Sequence, residues 1–411
     1  MDVNNPLNIN ESLSEYVTSD IIVVGAGISG LTVANELNLA GTGVTVYEKA
    51  RGTGGRLGSK RLKITDAVSA NHAPDDAQAD LSVGFDLGAS SFSAKSAEFQ
   101  QYLQELMLQN IVAKTDDSKG DYVAISRNSM LTRHLSKDIN VSFSTKITGI
   151  EFKDGKWFLF GEPQADQRQP QKSTVRVSKH VGYQYPSENV IACCKHLVLA
   201  APAEQTTALL PKDHAALSWL TNINSDPVFV SSFILPSETL KDDDLNTIRQ
   251  LSNTVIAEVS IEHAKPDRQN NGFQIIKLTT TSAWSQEHIA KPLNEIESQL
   301  QTIFNETLSN LDINQTHTVT QYTHRWLYSQ YSDLIKNTKG YLSFSDNLHI
   351  VGDYFDVQSE QNENAGVSNH QSEKIEGVER AYISAQRLVS NLFESMLIND
   401  GIHDKFSSKS L

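Results

Sequence analysis

The sequence contains few cysteines and no long apolar run. Cys193 and Cys194 are the two thiols among 411 residues. Because neighbouring cysteines rarely bridge each other, we interpret both as reduced residues of a buried strand. No window approaches the ~20 consecutive apolar residues that a membrane helix needs. The N-terminal segment is polar and acidic, where a signal peptide would be basic and then apolar. These absences predict a cytoplasmic protein without a membrane span.

Positive charge is also scarce. Lys and Arg number 35 against 49 Asp and Glu, which gives a formal net charge of −14. Such a balance disfavours nucleic acid as a partner. His263, His288 and His349 show no metal-ligand spacing with one another or with the cysteines, so we expect no metal site. A small molecule remains as the expected partner, and the sequence carries no signal for an oligomeric state.

Glycine, in contrast, is concentrated in one region, with nine of the 22 glycines between Gly25 and Gly58. There, Gly25-Ala26-Gly27-Ile28-Ser29-Gly30 fits the pattern G-x-G-x-x-G between a predicted buried strand at 21–24 and a predicted helix at 28–39. In this context the first glycine makes a tight turn, the second admits a pyrophosphate and the third packs the helix against the strand. The helix N-terminus adds partial positive charge. The pattern predicts a dinucleotide site.

Glu48 supports that prediction. It follows a second predicted strand at 44–47 and lies 18 residues after Gly30. A dinucleotide fold places there the carboxylate that accepts hydrogen bonds from the adenosine ribose and repels a 2′-phosphate. The alternative is an ordinary surface glutamate.

The next loop, Lys49-Ala50-Arg51-Gly52-Thr53-Gly54-Gly55-Arg56, distinguishes between dinucleotides. A nicotinamide dehydrogenase would normally begin its next helix here. In a loop that wraps a second time around pyrophosphate, Gly54 and Gly55 give backbone access, and Arg51 or Arg56 donates charge-assisted hydrogen bonds. The alternative is a flexible basic surface loop.

Short apolar strands that resemble one another recur at 21–24, 44–47, 196–201 and 348–351. These strands can form one sheet only if the segments between them form structure outside that sheet. We therefore predict an α/β protein with a discontinuous, doubly wound Rossmann-type domain and a second, α+β cap domain. The predicted units are a polar leader at 1–18, the dinucleotide domain at 19–70, 138–210 and 340–400, the cap at 71–137 and 211–339, and a tail at 401–411. Other predicted elements are strands at 228–234 and 273–279, a helix at 285–310, a hairpin around Asp154-Gly155, a loop at 66–80 and irregular chain at 161–190.

The chain resembles a known class of flavoproteins. Glu48-Lys49 and Gly54-Gly55-Arg56 are similar to the signature of the amine-oxidase-like superfamily, whose FAD domain is of the glutathione-reductase type. Within that superfamily, an ordered set of motifs resembles the renalase family. These motifs are Lys49 to Arg56 with Arg61, Asp86-Leu87-Gly88-Ala89, Ala201-Pro202-Ala203-Glu204-Gln205, Arg325-Trp326-Leu327-Tyr328, Gly352-Asp353 and the segment from Val378 to Ala385.

The resemblance implies FAD as the cofactor. We expect it to be non-covalent, because no cysteine or histidine stands where a matched motif implies a covalent link. The implied cofactor-binding residues are Gly25, Gly27, Ile28, Ser29, Gly30, Glu48, Lys49, Arg51, Gly54, Gly55, Arg56, Gly88, Ala89, Gly352, Asp353 and Val378.

Four candidate catalytic residues lie in the second half of the chain. His324, Arg325 and Trp326 either line a cap wall over the flavin or form a satisfied structural cluster. The fourth, Arg380, stands with Ala385 where relatives have glycine. Three roles are open for Arg380. Its charge stabilises negative charge on the reduced flavin, or its bulk pushes the last helix away from the flavin ring. In the third, it points to solvent or pairs with an acidic residue of the unusual polar segment at 356–375.

The resemblance implies an FAD-dependent oxidoreductase. Its flavin N5 takes a hydride from a small reduced substrate, which relatives suggest is an isomeric dihydronicotinamide dinucleotide, and oxygen accepts the electrons. The alternatives are an amine oxidase or desaturase of the same fold and a non-catalytic FAD-binding protein.

Overall fold

The computed structural model describes residues 16–64, 81–115, 121–163, 190–310, 318–357 and 375–400. The strands in these ranges are β1 (Val17–Val24), β2 (Val44–Tyr47), β3 (Ser59–Lys63), β4 (Ser82–Asp86), β5 (Val112–Lys114), β6 (Tyr122–Ala124), β7 (Asn140–Ser142), β8 (Thr145–Lys153), β9 (Lys156–Pro163), β10 (Val190–Leu199), β11 (Ser225–Pro236), β12 (Ile256–Ile261), β13 (Phe273–Thr280), β14 (Thr320–Tyr331), β15 (Leu342–Ser343) and β16 (Leu348–Ile350). The helices are α1 (Ile28–Leu39), α2 (Ala97–Leu108), α3 (Ser129–Leu135), α4 (Ala203–Leu209), α5 (Leu217–Leu220), α6 (Asp242–Arg249), α7 (Ser282–His288), α8 (Leu293–Asn310) and α9 (Gly377–Asp400).

The larger sheet has the order β15-β16-β10-β1-β2-β7. Its strands β16, β10, β1, β2 and β7 run parallel to one another. The residues at 21–24 and 44–47 are apolar or β-branched and buried throughout, as expected for strands covered on both faces. Helix α1 packs against α9 beside this sheet. The arrangement is a doubly wound α/β fold.

The second sheet is antiparallel, with the order β12-β13-β11-β14. Helix α8 covers one face with four apolar side chains spaced four residues apart (Ile296, Leu300, Phe304 and Leu308). Phe304 stacks on Phe233 of β11 at 4.1 Å between ring centroids. Because side chains alternate along a strand, Ile234 and Ile275 lie on the opposite face, where they pack against the β3–β4 hairpin. This second face is directed at the larger sheet's domain.

Several predicted elements are confirmed, and some bounds were wrong. Helix α1 and strand β2 match their predictions to the residue. The predicted leader at 1–18 is too long, because Val17 and Thr18 already pair with the early residues of β10. That strand begins at Val190 and contains the two cysteines, which are buried and unbridged.

The predicted helix at 285–310 is divided into α7 and α8. Pro292 lies between them and cannot donate a backbone hydrogen bond. The loop predicted at 66–80, the tail at 401–411 and most of the segments at 161–190 and 356–375 lie outside the described residues. No helix of the described ranges is both long and apolar enough to cross a bilayer.

Gly30 tests a close backbone contact within the dinucleotide-domain fold. A Cβ atom there would lie 2.0 Å from the carbonyl oxygen of Gly25. We expect Gly30→Ala to lower the free energy of unfolding by about 3 kcal/mol, because the backbone must separate to admit a methyl group. Urea denaturation measures this. Gly27→Ala is the matched control, since nothing lies within 4 Å of its Cβ position, and its stability should change by less than about 0.5 kcal/mol. Equal stability of the two variants would contradict the packing role of Gly30.

Candidate functional site

A cavity of about 1350 Å³ opens at the carboxyl ends of β1, β2, β10 and β16. The residues that follow these strands line it: Gly25, Glu48, Ala200 to Pro202, and Gly352 with Asp353. The second sheet covers the other side of the cavity. Ligands of open α/β sheets bind at this edge, so the cavity is the candidate site.

The glycine loop separates into packing positions and an open position. Gly25 has φ +112, and a Cβ atom there would lie 2.9 Å from the carbonyl oxygen of Ala200. Gly27, in contrast, has no atom of the described residues within 4 Å of its Cβ position and lines the cavity. It is the N-cap of α1, where no side chain caps the helix. The free N–H groups of this helix N-terminus therefore face a space kept open by a missing side chain.

Glu48 bridges the two loops of the site. One carboxylate oxygen accepts a hydrogen bond from the backbone N–H of Ala26 at 2.8 Å, and the other accepts one from Ala50 at 2.7 Å. Each carboxylate oxygen can accept a second hydrogen bond. Glu48 lines the cavity, so its remaining lone pairs can accept hydrogen bonds from hydroxyl groups there.

The two arginines of the second loop have different positions. Arg51 is exposed and does not line the cavity. The carbonyl of the preceding residue, Ala50, accepts a hydrogen bond from the N–H of Ser144. The structure therefore does not support the prediction that Arg51 contacts a ligand in the cavity.

Arg56 lines the cavity and forms a bidentate ion pair with Asp353, with both N···O distances at 2.6 Å. Burial by itself lowers the pKa of Arg56, but the charge and hydrogen bonds of Asp353 raise it above its ordinary value. The pair connects the loop after β2 to the loop after β16.

Gly88 and Ala89 form another wall of the cavity by close backbone contact. A Cβ atom on Gly88 would lie 1.7 Å from the carbonyl oxygen of Arg56, and the N–H of Ala89 donates to that same oxygen at 3.0 Å. Lys277, on β13 of the second sheet, donates to the Gly88 carbonyl at 2.9 Å. Backbone contacts with Arg56 in one domain and a hydrogen bond from Lys277 in the other therefore fix this wall.

A buried group of five charged side chains lies behind this wall. Its members, which we name the buried charge cluster, are Asp86, Glu262, Lys265, Arg268 and Lys277. Arg268 lies 2.6 Å and Lys265 3.3 Å from a carboxylate oxygen of Asp86. Burial alone raises the pKa of Glu262, but Lys265, Lys277 and Arg268 hold it far below its ordinary value. The cluster joins β4 to the second sheet.

Four side chains form a row across the cavity face of the second sheet. In the strand register Glu258 pairs with Thr279, Thr279 with Val230, and Val230 with His324. All four line the cavity. We name them the cap row. One oxygen of the Glu258 carboxylate accepts a hydrogen bond from Ser90 at 3.0 Å.

The side chains of the three consecutive residues at 324–326 do not all face the cavity. His324 and Trp326 face the cavity in edge contact, with ring centroids 4.6 Å apart, and the indole N–H of Trp326 donates to the Leu87 carbonyl at 2.7 Å. The guanidinium of Arg325 instead donates to the Lys291 carbonyl and lies over Phe229, on the helix-covered face. Alternation along β14 separates them, so these contacts do not support a catalytic role for Arg325.

His324 has a low proton affinity in this setting. Burial, together with the charge of Lys60, lowers the pKa of His324 below its ordinary value. Its imidazole is therefore neutral at pH 7 and can accept a proton or a hydrogen bond.

The N-terminus of α9 reaches the cavity through Gly377, Val378, Arg380 and Ala381. Arg380 is 4% exposed. Burial lowers the pKa of Arg380, against the opposing charge of Asp353. Glu379 turns away from the cavity and accepts hydrogen bonds from the N–H groups of Lys95 and Ser96. The helix start therefore presents a positive side chain to the cavity.

Most predicted site residues meet in this one cavity. Gly30 and Arg51 are the two that do not line it. Glu258 was not predicted, because one acidic residue in the short strand β12 has no motif to mark it. The alternation of apolar residues at 259 and 261 could have identified the strand and the face of its polar neighbours.

Known proteins share this architecture. Residues 23–106 match a family model described as the NAD(P)-binding Rossmann-like domain. A candidate protoporphyrinogen oxidase from Exiguobacterium sp. 255-15 has a TM-score of 0.59 at 9% identity, over 92% of this chain and 99% of that chain. Wild-type putrescine oxidase bound to putrescine has a TM-score of 0.50 at 11% identity, over 92% of this chain and 100% of that chain. These similarities confirm the predicted Rossmann-type α/β fold.

Gly27 provides a test of where a dinucleotide binds. We expect Gly27→Val to abolish FAD binding, because its side chain would fill the space over the α1 N-terminus that a pyrophosphate needs. The fold should remain intact, since that space contains no protein atom within 4 Å of the Cβ position. Titration with FAD, followed by flavin fluorescence, measures the affinity, and circular dichroism checks the fold. Full flavin occupancy in the folded variant would show that the loop is not the phosphate site.

Proposed function

We propose that the protein is an FAD-dependent oxidoreductase. The observation that carries this proposal is that one cavity extends along the ends of β2, β1, β10 and β16 beneath the cap row. Three strand spacings separate β2 from β16, which is about 14 Å. This length suits an extended dinucleotide with its adenosine near Glu48 and its reactive ring near Asp353, below the second sheet.

The residues present fit FAD. Gly27 leaves room for a pyrophosphate at the helix N-terminus, and Glu48 has lone pairs for ribose hydroxyl groups. Gly54 and Gly55 bring bare backbone to the cavity with φ +138 and +50. We expect these contacts to hold FAD non-covalently. FAD bound there would supply the redox chemistry, which is hydride acceptance from the substrate and electron transfer to oxygen with release of hydrogen peroxide.

The chain's own residues orient the substrate and exclude water. The cap row covers the cavity opposite the glycine loop, and Trp326 is fixed in that wall by the Leu87 carbonyl. His324, as a neutral imidazole, can hold a substrate by accepting a hydrogen bond or a proton. We assign His324 and Trp326 to substrate positioning in this wall.

The substrate proposal follows from the renalase-like motifs. A renalase-like activity oxidises an isomeric dihydronicotinamide dinucleotide to the ordinary nicotinamide. Arg56, Gly88, Trp326 and Asp353, which belong to those motifs, all line the cavity, and this supports the proposal.

A panel of candidate substrates tests this function. We expect the purified protein to show a flavin absorption spectrum and to form peroxide with isomeric dihydronicotinamide dinucleotides, faster than with ordinary NADH or simple amines. Anaerobic stopped-flow absorbance measures flavin reduction directly. A protein without bound flavin after reconstitution would contradict the FAD proposal. Bound flavin that no isomer reduces would contradict the substrate, and bound flavin that nothing reduces would favour a non-catalytic FAD-binding protein.

A second candidate function is amine oxidation, and Glu258 favours it. Its carboxylate is the acidic member of the cap row, and one of its oxygens is held by Ser90. A carboxylate in such a wall can bind a substrate ammonium group by a charge-assisted hydrogen bond.

Glu258→Gln distinguishes the two candidate functions. If the substrate is a cationic amine, we expect KM for that amine to rise about tenfold with kcat little changed, because a charged hydrogen bond is lost in binding. Oxidation of a dihydronicotinamide should change little. Steady-state peroxide formation measures both. Asp121→Asn, which removes a carboxylate elsewhere on the cavity wall, should leave the ratio of the two activities unchanged. An unchanged KM for amines in Glu258→Gln would exclude Glu258 from amine binding.

A further inference from the structure

The guanidinium of Arg380 has buried donors without acceptors. The residue is 4% exposed, and its Nε and Nη1 atoms have no hydrogen-bond partner among the described residues. It lines the cavity from the first turn of α9. A buried, unpaired guanidinium is strongly unfavourable, which indicates that a ligand in the cavity supplies the missing acceptor.

The nearby carboxylates of the described residues do not supply that acceptor. Asp353 is the acidic group with the largest effect on Arg380, but its two oxygens bind Arg56 at 2.6 Å and make no hydrogen bond to the Nε or Nη1 atom of Arg380. Glu379, the next residue on the helix, is directed at the N–H groups of Lys95 and Ser96. Glu376 and Asp356 act on Arg380 through charge, without a hydrogen bond to its Nε or Nη1 atom.

The N-terminus of helix α9 also favours a ligand with a hydrogen-bond acceptor or negative charge. Helix α9 is 24 residues long, and its first turn lies at the cavity. The N-terminus of such a helix carries partial positive charge and free N–H groups. Arg380 and this helix start together favour an anionic or electron-rich oxygen as their ligand.

The position of Arg380 indicates which part of the ligand it meets. Arg380 lies with Asp353 near the end of β16, whereas Glu48 follows β2, about 14 Å away across the sheet. An FAD whose adenosine lies at Glu48 places its flavin half at Arg380. In the flavin ring system most hydrogen-bond acceptors (N1, O2 and O4) belong to the pyrimidine ring, N5 lies beside it, and the dimethylbenzene end is apolar. The pyrimidine edge is therefore the part of the ring that best satisfies several N–H donors at once.

We propose that Arg380 donates to the pyrimidine edge of the flavin and stabilises the negative charge that this edge acquires on reduction. The inference rests on the proposed FAD function. It predicts that Arg380 raises the reduction potential of the flavin and strengthens the addition of sulfite. In that addition the sulfur lone pair forms a bond to N5, and the added negative charge is delocalised onto the pyrimidine ring.

The experiment uses full-length, FAD-loaded protein and two measurements, the dissociation constant for sulfite and the midpoint potential of the flavin. We expect Arg380→Gln to retain FAD, to bind sulfite at least about tenfold more weakly and to have a lower potential. Arg380→Lys keeps the charge with fewer donors and should show a smaller loss in both measurements. It also serves as the test variant if Arg380→Gln fails to fold.

Arg387→Gln is the matched control. Arg387 lies seven residues further along α9 and does not line the cavity. Its replacement removes the same charge from the same helix and should leave sulfite affinity and potential unchanged.

Three results would overturn the inference. Unchanged sulfite affinity and potential in flavin-loaded Arg380→Gln would show that Arg380 does not contact the ring. Weaker FAD binding with both ring measurements unchanged would assign Arg380 to a phosphate of the cofactor. Failure of the unmodified protein to bind FAD would contradict the proposed function itself, and this inference with it.

Discussion

The buried charge cluster is the constraint on which the candidate site depends. It joins β4 to the second sheet, and through Lys277 it holds the carbonyl of Gly88 at the cavity wall. Gly88 in turn packs against the backbone of Arg56, whose side chain is fixed by Asp353. Buried ion pairs contribute little net stability, but removing one partner leaves an uncompensated charge. We infer that the cluster fixes the alignment of the two domains more than it stabilises either of them.

The two sides of the cavity use different chemistry. The side formed by the larger sheet's domain is rich in exposed backbone, with glycines at 25, 27, 54 and 55 and a helix N-terminus. The side formed by the second sheet consists of side chains on β11 to β14, including the cap row. Backbone geometry recognises a dinucleotide, and few substitutions in the glycine loops preserve that geometry. Residues of the cap row, in contrast, can be replaced one at a time without altering the fold. Substrate preference can therefore diverge while the cofactor stays the same.

Local signals in the sequence predicted most of the first side of the cavity, whereas on the second side the sequence marked residues 324–326 and not Glu258. A buried strand, glycines at set spacing and a helical repeat lie within the first 48 residues, so α1, β2 and the position of Glu48 follow from short-range rules. Glu258 and His324 share a row only through the register of four strands drawn from distant segments, which no local pattern contains. The same register separates Arg325 from its neighbours. Arg51 lies outside the cavity, in a loop that also contacts Ser144, 93 residues later, through the Ala50 carbonyl, and no local pattern indicates that contact.

The strand order of the larger sheet has a consequence for how the chain is made. Strand β1 pairs with β2 on one edge, but its other edge pairs with β10, whose residues begin at Val190. Helix α1 likewise packs against α9, which begins more than 330 residues later in the chain. A chain emerging from the ribosome therefore presents the apolar half of β1, residues 21–24, with one open edge until β10 follows, and such edges pair readily with other chains. Nascent chains of this protein should therefore depend on chaperones until β10 has been synthesised.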